Sequence, residues 1–235
     1  MSLNENDNKQ KEKKIVLITG GSGWLAQFVV KALTSITSLL KDIDIFVSYR
    51  NKKLSCYDND KDIKQIYMNI EDNDSIISCI SSLKPSCIIH LAAISSLVVC
   101  NNEKDKASNC NSPVAMLNSI KQYCPDCLFV FSSTDLIYDN GLNPPYKTTS
   151  DSSLYIPLNI YGNTKLNFEQ FVSQLDNSVI LRLSNMISSK PYAYEDVGIK
   201  FLQFLQNAID SKSFIGIIIF FFLSSSSSSL SSLLL

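Results

Sequence analysis

The chain has 235 residues, with 21 Lys and Arg against 22 Asp and Glu, a formal net charge of −1. At roughly 150 residues per domain this suits one domain with a remainder, and the balanced charge argues against the basic stripe of a nucleic-acid binder. Hydrophobic residues are 45% and charged residues 18% of the chain, enough apolar mass for a core and too much for global disorder.

Residues 1–12 are rich in Asn, Lys and Glu and read as a disordered, solvated tail. They hold no apolar h-region, so no secretory signal is predicted. A cytoplasmic chain is expected, with its seven cysteines as free thiols rather than a disulfide framework. Regular patterning begins at residue 14. Residues 14–19 form a short apolar run that enters Gly20-Gly21-Ser22-Gly23, a buried strand meeting a tight turn. Helical spacing of apolar residues follows over 24–39. Further strands are predicted at 45–47, 66–68, 87–91, 127–131 and 179–182, and helices at 74–83, with Pro85 as a stop, and 160–175. Strands alternating with helices predict crossover connections and a parallel sheet. The strands are near-continuous apolar runs, as a sheet covered on both faces requires.

Cys124 and Cys127 have CxxC spacing. With one histidine in the chain and no second ligand pair, no metal site is predicted. Residues 214–235 carry no charge. The apolar stretch at 214–223 is half the ~20 residues of a membrane span, so a low-complexity tail is expected. A tail anchor at 214–223 and a mis-assigned gene end are the alternatives.

The glycine loop is the strongest local signal. Gly20 permits the tight turn, Gly23 lets backbone N–H groups approach a diphosphate, and small Ala26 lets helix and strand pack closely. The helix that opens there adds partial positive charge. Arg50, followed by Asn51, Lys52 and Lys53, closes the second strand. An acidic residue there would hold the ribose 2′-OH of NAD, whereas a basic cluster suits a 2′-phosphate, so NADP(H) is favoured over NAD(H). A merely solvated loop is the alternative. Adenine is expected near Asn69 and Ile70. Tyr161 and Lys165 stand at i and i+4 and share a helix face. The ammonium and a nearby cationic nicotinamide should both favour a phenolate and draw the tyrosine pKa down from about 10.

Five separated segments then occur in a telling order: Thr19-Gly20-Gly21-Ser22-Gly23-Trp24-Leu25-Ala26, His90-Leu91-Ala92-Ala93, Asn111, Ser132-Ser133-Thr134-Asp135 running on to Tyr138-Asp139, and Tyr161-Gly162-Asn163-Thr164-Lys165. Over residues 14–190 the chain resembles the extended short-chain dehydrogenase/reductases. It is most similar to the dTDP-4-dehydrorhamnose reductase group, which includes the regulatory beta subunits of methionine adenosyltransferase. The resemblance implies an α/β Rossmann fold, a doubly wound parallel sheet, as an NAD(P)-binding domain over 13–210. The substrate lobe is expected to be truncated or replaced by the low-complexity tail at 214–235.

The resemblance implies catalysis by Thr134, Tyr161 and Lys165, with Ser133 as the fallback hydroxyl. Tyr161 gives a proton to a carbonyl oxygen as hydride reaches its carbon, and Thr134 polarises that carbonyl. Cofactor contacts are implied at Gly20, Ser22, Gly23, Trp24, Leu25, Arg50, Asn69, Ile70, Leu91, Ala92 and Ala93, and again at Tyr161 and Lys165. Asn69 stands where the family often has Asp. His90 is read as structural or cofactor-adjacent, Asn111 as a hydrogen bonder bridging helices, and Arg182 as half of an internal ion pair. Three functions stay open. One is an NADP(H)-dependent reductase of a 4-keto nucleotide sugar. The second is a nucleotide-binding regulatory subunit that docks a methionine adenosyltransferase catalytic subunit. The third is an inactive truncated paralogue. Neither a nucleic-acid nor a membrane partner is expected.

Overall fold

A computed structural model of the chain describes residues 13–36, 38–51, 53–58, 60–138, 155–184 and 186. The tails expected at 1–12 and 214–235 lie outside the described residues. The chain divides into Met1–Ser184 and Asn185–Leu235, and all the elements below belong to the first unit.

Strands β1 (Lys14–Thr19), β2 (Ile43–Tyr49), β3 (Ile63–Tyr67), β4 (Cys87–His90), β5 (Leu128–Thr134) and β6 (Ser178–Leu183) form one six-stranded sheet. Its order is β3-β2-β1-β4-β5-β6, and every neighbouring pair is parallel. This is the doubly wound Rossmann order, with its topological switch between β1 and β4. Helices α1 (Trp24–Ser35), α2 (Asn73–Leu83), α3 (Leu97–Asn102), α4 (Lys104–Asn111), α5 (Val114–Tyr123) and α6 (Ile160–Val172) make or flank the crossovers. The right-handed connection from β1 runs to one side, and that from β3 to the other. The two crossovers therefore lie on opposite faces of the sheet.

Local signals place most boundaries. The Asp72 side chain accepts the Asp74 N–H to cap α2, and left-handed Lys84 (φ 44°) ends it before Pro85. Asn159 caps α6 by accepting the Gly162 N–H at 2.7 Å. The periodicity over 24–39 breaks at Ser35, and the segment Leu39–Lys41 is instead a 3₁₀ turn. The strand expected at 66–68 starts earlier, at Ile63, and pairs with β2 from Ile45 onward. Among the described residues no helix is long and apolar enough to cross a membrane.

One core gathers Leu17, Ile76, Ile80, Ile88, Met116, Ile120, Phe129, Phe131, Phe168 and Val172 between the sheet and helices α2, α5 and α6. Phe168 meets Phe131 edge-on at 4.9 Å between ring centres, a preferred aromatic geometry. Beside it, α6 is bolted to β6 by a nearly buried ion pair. Arg182 Nη2 donates to Glu169 Oε2 at 2.7 Å, and Nε donates to Oε1 at 3.1 Å. Arg182 Nη1 also donates to the Tyr138 hydroxyl at 2.7 Å, and the guanidinium lies over the Tyr138 and Tyr155 rings. The ion pair read from the sequence for Arg182 is therefore present. Replacing Arg182 with Met leaves the Glu169 carboxylate buried and unpaired. That change is expected to cost about 3 kcal/mol or more, read as a lower urea midpoint with unchanged slope.

Candidate functional site

β1 ends at Thr19 and the chain turns at Gly20, whose φ is +72°. A Cβ on Gly20 would lie 2.8 Å from the Ala92 Cα. Only glycine lets this turn rest on the turn that follows β4. The Gly23 N–H closes the loop on the Gly20 carbonyl at 2.7 Å. Gly23 is also the N-cap of α1. It offers no side-chain cap, and no acidic residue stands in the helix's first turn. The positive end of α1 is thus left to an anionic ligand, as a dinucleotide diphosphate requires.

Thr19 joins the two turns. Its Oγ1 accepts the N–H groups of Leu91 and Ala92, each at 3.0 Å, and lies 2.8 Å from His90 Nδ1. A hydroxyl has one proton and two lone pairs. With both lone pairs taken, the O–H donates to Nδ1, which puts the imidazole proton on Nε2. Burial, with Lys165 nearby, lowers the His90 pKa to about 3. The ring is neutral at working pH and stacks on Phe129 and Phe131. It is a structural residue, one of the two roles its sequence position suggested. Thr19→Val strips an acceptor from two buried N–H groups and a donor from His90. It is expected to lower stability by about 2 kcal/mol in urea unfolding.

The carboxyl ends of β1, β2, β3 and β4 open on a cleft of about 300 Å³. Eight of the predicted cofactor residues line it: Gly20, Ser22, Gly23, Arg50, Ile70, Leu91, Ala92 and Ala93. Ser48, Tyr49, Met68, Glu71, Ile94 and Cys110 line it too and were not singled out in the sequence. Ser48 had a readable signal, since it is the polar residue that ends the apolar β2 run. Its Oγ accepts the Gly20 N–H at 3.2 Å.

Asn69 serves the turn instead of the cleft lining. Its Oδ1 accepts the Glu71 N–H at 3.1 Å, and its own N–H donates to Ser75 Oγ at 2.9 Å. Trp24 is buried, with its ring 4.7 Å from that of Phe28. Neither Trp24 nor Leu25 lines the cleft. Arg50 lines the cleft, but its Nη1 is bound to Glu71 Oε1 at 2.8 Å.

Thr134, Tyr161 and Lys165 stand outside this lining, at the end of β5 and on α6. Thr134 Oγ1 accepts the Leu136 N–H at 3.2 Å and donates to Asp135 Oδ1 at 3.4 Å. Ser133 Oγ is buried and has no hydrogen-bond partner among the described residues. A Cβ on Gly162 would meet the Leu136 carbonyl at 2.8 Å. The glycine beside Tyr161 therefore lets α6 close on the turn after Thr134. Asn111 bridges as expected, although to a loop as well as a helix. Its Oδ1 accepts the Ile94 N–H, and its Nδ2 donates to the Ile94 carbonyl and to Thr164 Oγ1. Thr164 Oγ1 in turn donates to the Tyr161 carbonyl at 2.8 Å. The cleft wall and the tyrosine helix are thus one hydrogen-bonded unit.

The depressed tyrosine pKa expected from Lys165 is not found. Burial pushes Tyr161 up to about 12, with Cys100 and Asp135 adding to it. Lys165 is itself buried, and desolvation lowers it to about 7 against the opposing pull of Glu169. Its Nζ donates to the Ser132 carbonyl at 2.9 Å and lies 4.7 Å from the Phe131 ring centre, against 5.8 Å for the Tyr161 ring. The lysine faces a carbonyl and an aromatic core, and desolvation outweighs its effect on the phenol.

A lysine held near 7 when folded and near 10.5 when unfolded binds fewer protons in the native state between those values. Its contribution to stability therefore rises with pH across that window and is absent below about pH 7. Buried thiols act oppositely above about pH 9, so the readout is a difference. The stability of the native chain minus that of Lys165→Met is expected to increase from pH 7 to 9 in urea unfolding.

The model of the NAD dependent epimerase/dehydratase family matches residues 16–220. Methionine adenosyltransferase 2 subunit beta of Bos taurus is 28% identical over 164 residues, 70% of this chain and 43% of that protein. The chain spans less than half the length of the curated relatives it matches. The crystal structure of a hypothetical dTDP-4-dehydrorhamnose reductase from Sulfolobus tokodaii is 27% identical, with a TM-score of 0.61, covering 75% of this chain and 57% of that one. The Bacillus anthracis dTDP-4-dehydrorhamnose reductase, solved in complex with NADP, shares the fold at 23% identity. Its TM-score is 0.64, over 85% of this chain and 61% of that one.

Proposed function

The chain belongs to the NAD dependent epimerase/dehydratase family, among the extended short-chain dehydrogenase/reductases of dTDP-4-dehydrorhamnose reductase type, and from that premise we propose that it binds NADP(H) and reduces a 4-keto nucleotide sugar. One observation carries the reading: α6, with Tyr161 and Lys165, is hydrogen-bonded through Thr164 and Asn111 to Ile94 on the cleft wall. A dinucleotide in the cleft and a carbonyl beside Tyr161 would then sit at one end of one sheet.

The glycine loop fits the group. It has no side chain in the way and an uncapped helix end behind it. Gly20, Ser22, Gly23 and the backbone of Trp24 and Leu25 would hold the diphosphate. Leu91, Ala92 and Ala93 form the opposite wall, and Ile70, on the turn set by Asn69, flanks the adenine. Arg50 supports the 2′-phosphate of NADP(H). The bound dinucleotide supplies the hydride.

The chain's own residues handle the proton. Tyr161 keeps its proton at neutral pH, the form that serves as an acid toward a carbonyl oxygen. Charged Lys165 stabilises the phenolate left behind and would hold the nicotinamide ribose. Thr134 Oγ1, turned from Asp135, donates a hydrogen bond to the same carbonyl oxygen, with the adjacent Ser133 Oγ as the fallback donor.

A second reading is favoured by the sequence relatives, which include the beta subunit of methionine adenosyltransferase 2 in several vertebrates. On that reading the chain keeps the nucleotide fold and acts by docking a methionine adenosyltransferase catalytic subunit. The test is NADPH consumption with dTDP-4-dehydrorhamnose. Turnover that falls about 100-fold or more in Tyr161→Phe supports the reductase. No turnover, together with a stable complex on gel filtration with a methionine adenosyltransferase catalytic subunit, supports the second reading.

A further inference from the structure

Arg50 does not face the cleft alone. Glu71 lines the same wall, and its Oε1 accepts from Arg50 Nη1 at 2.8 Å. The turn after β3 is built to put Glu71 there. Asn69 Oδ1 holds the Glu71 N–H, the Asn69 carbonyl holds the Asp72 N–H at 3.1 Å, and Ser75 Oγ anchors Asn69 itself. Cys110 is buried on the cleft lining, and burial together with the Glu71 carboxylate pushes its thiol up to about 11. Lys106, a second cation that Glu71 acts on, is paired with Glu103 at 3.1 Å. The Glu71 carboxylate therefore falls chiefly to Arg50.

We infer that Glu71 is a specificity-determining residue of the dinucleotide site: by holding Arg50 and placing a carboxylate on the cleft wall, it restrains the preference for the 2′-phosphorylated cofactor. The inference rests on the cleft being the dinucleotide site, as proposed above. The physics has two parts. Both partners of the pair are partly exposed, at 55% and 31% of their side chains, so the pair opens at small cost and Arg50 remains available to a phosphate. The carboxylate stays on the wall when the pair opens, and it repels a dianionic 2′-phosphate while leaving a neutral 2′-OH free to donate to it. Arg50 attracts the phosphate, Glu71 offsets that attraction, and neither charge disfavours the unphosphorylated dinucleotide.

The test is titration of the full chain, Glu71→Gln and Arg50→Met with NADPH and with NADH, followed by nucleotide fluorescence. Glutamine keeps the size and a hydrogen bond to Arg50 and removes only the charge. The native chain should bind the two dinucleotides within about tenfold of each other. Glu71→Gln should tighten NADPH about tenfold, with NADH changed less than twofold. Arg50→Met should weaken NADPH alone. In the Arg50→Met background, adding Glu71→Gln should still tighten NADPH, because the bare carboxylate is removed there too. A ratio of the two affinities that stays within twofold in Glu71→Gln overturns the inference and leaves the cofactor site standing. Equal loss of both dinucleotides in Glu71→Gln also overturns it, marking Glu71 as merely structural. Failure of the native chain to bind either dinucleotide overturns the site and the inference together.

Discussion

The Thr19 hydroxyl is the point on which the site is built. It lies where β1 and β4 part company, and there the crossovers leave for opposite faces of the sheet. Such a parting leaves two turns side by side with backbone N–H groups that the sheet cannot satisfy. Thr19 Oγ1 accepts two of them, from Leu91 and Ala92, and its hydroxyl donates a hydrogen bond to His90 Nδ1. Left-handed Gly20 then lies flat against Ala92, where any side chain would collide. The crevice opened by the topology is thereby held to a fixed width.

Desolvation is the second constraint, and it runs through the chemistry. His90 lies among the rings of Phe129, Phe131 and Phe168, Lys165 lies over Phe131, and burial pushes His90, Lys165 and Tyr161 each toward its neutral form. The core that stabilises the sheet is the same core that sets the proton affinity of the tyrosine helix. The Arg182–Glu169 pair lies one turn further along the helix face that carries Lys165, and its carboxylate is the counterweight to the burial of Lys165. Packing, ion pairing and acid–base character meet on four turns of α6.

Turnover and docking ask different things of one scaffold. A reductase needs the Tyr161 proton, a hydride donor and a carbonyl in register. A regulatory chain needs the nucleotide fold and an outer surface. The hydrogen-bonded unit from Ile94 through Asn111 and Thr164 to Tyr161 serves either one, since it ties the cleft wall to α6. A shared fold therefore carries the family, and activity has to be argued from individual groups.

Local chemistry in the sequence was enough for the order of the strands and for helices α1, α2 and α6, while the three short helices α3, α4 and α5 went unread. Apolar runs read as buried strands, Pro85 as a stop, and the glycine loop between strand and helix as a dinucleotide turn. Each of these depends on neighbours a few residues away. Arg182 and Asn111 were legible as roles, because a buried charge or amide must find a partner, although the partner's identity was not. Tertiary structure alone decided the rest. The pairing of Arg50 with Glu71 joins residues 21 apart, and it depends on the neighbouring ends of β2 and β3. The proton affinities of Tyr161 and Lys165 depend on burial that the assembled fold imposes, with a ring of β5 against Lys165. Helical spacing shows that two side chains share a face, but it is silent on how dry that face is. Charge states respond to burial, and burial is a property of the whole fold.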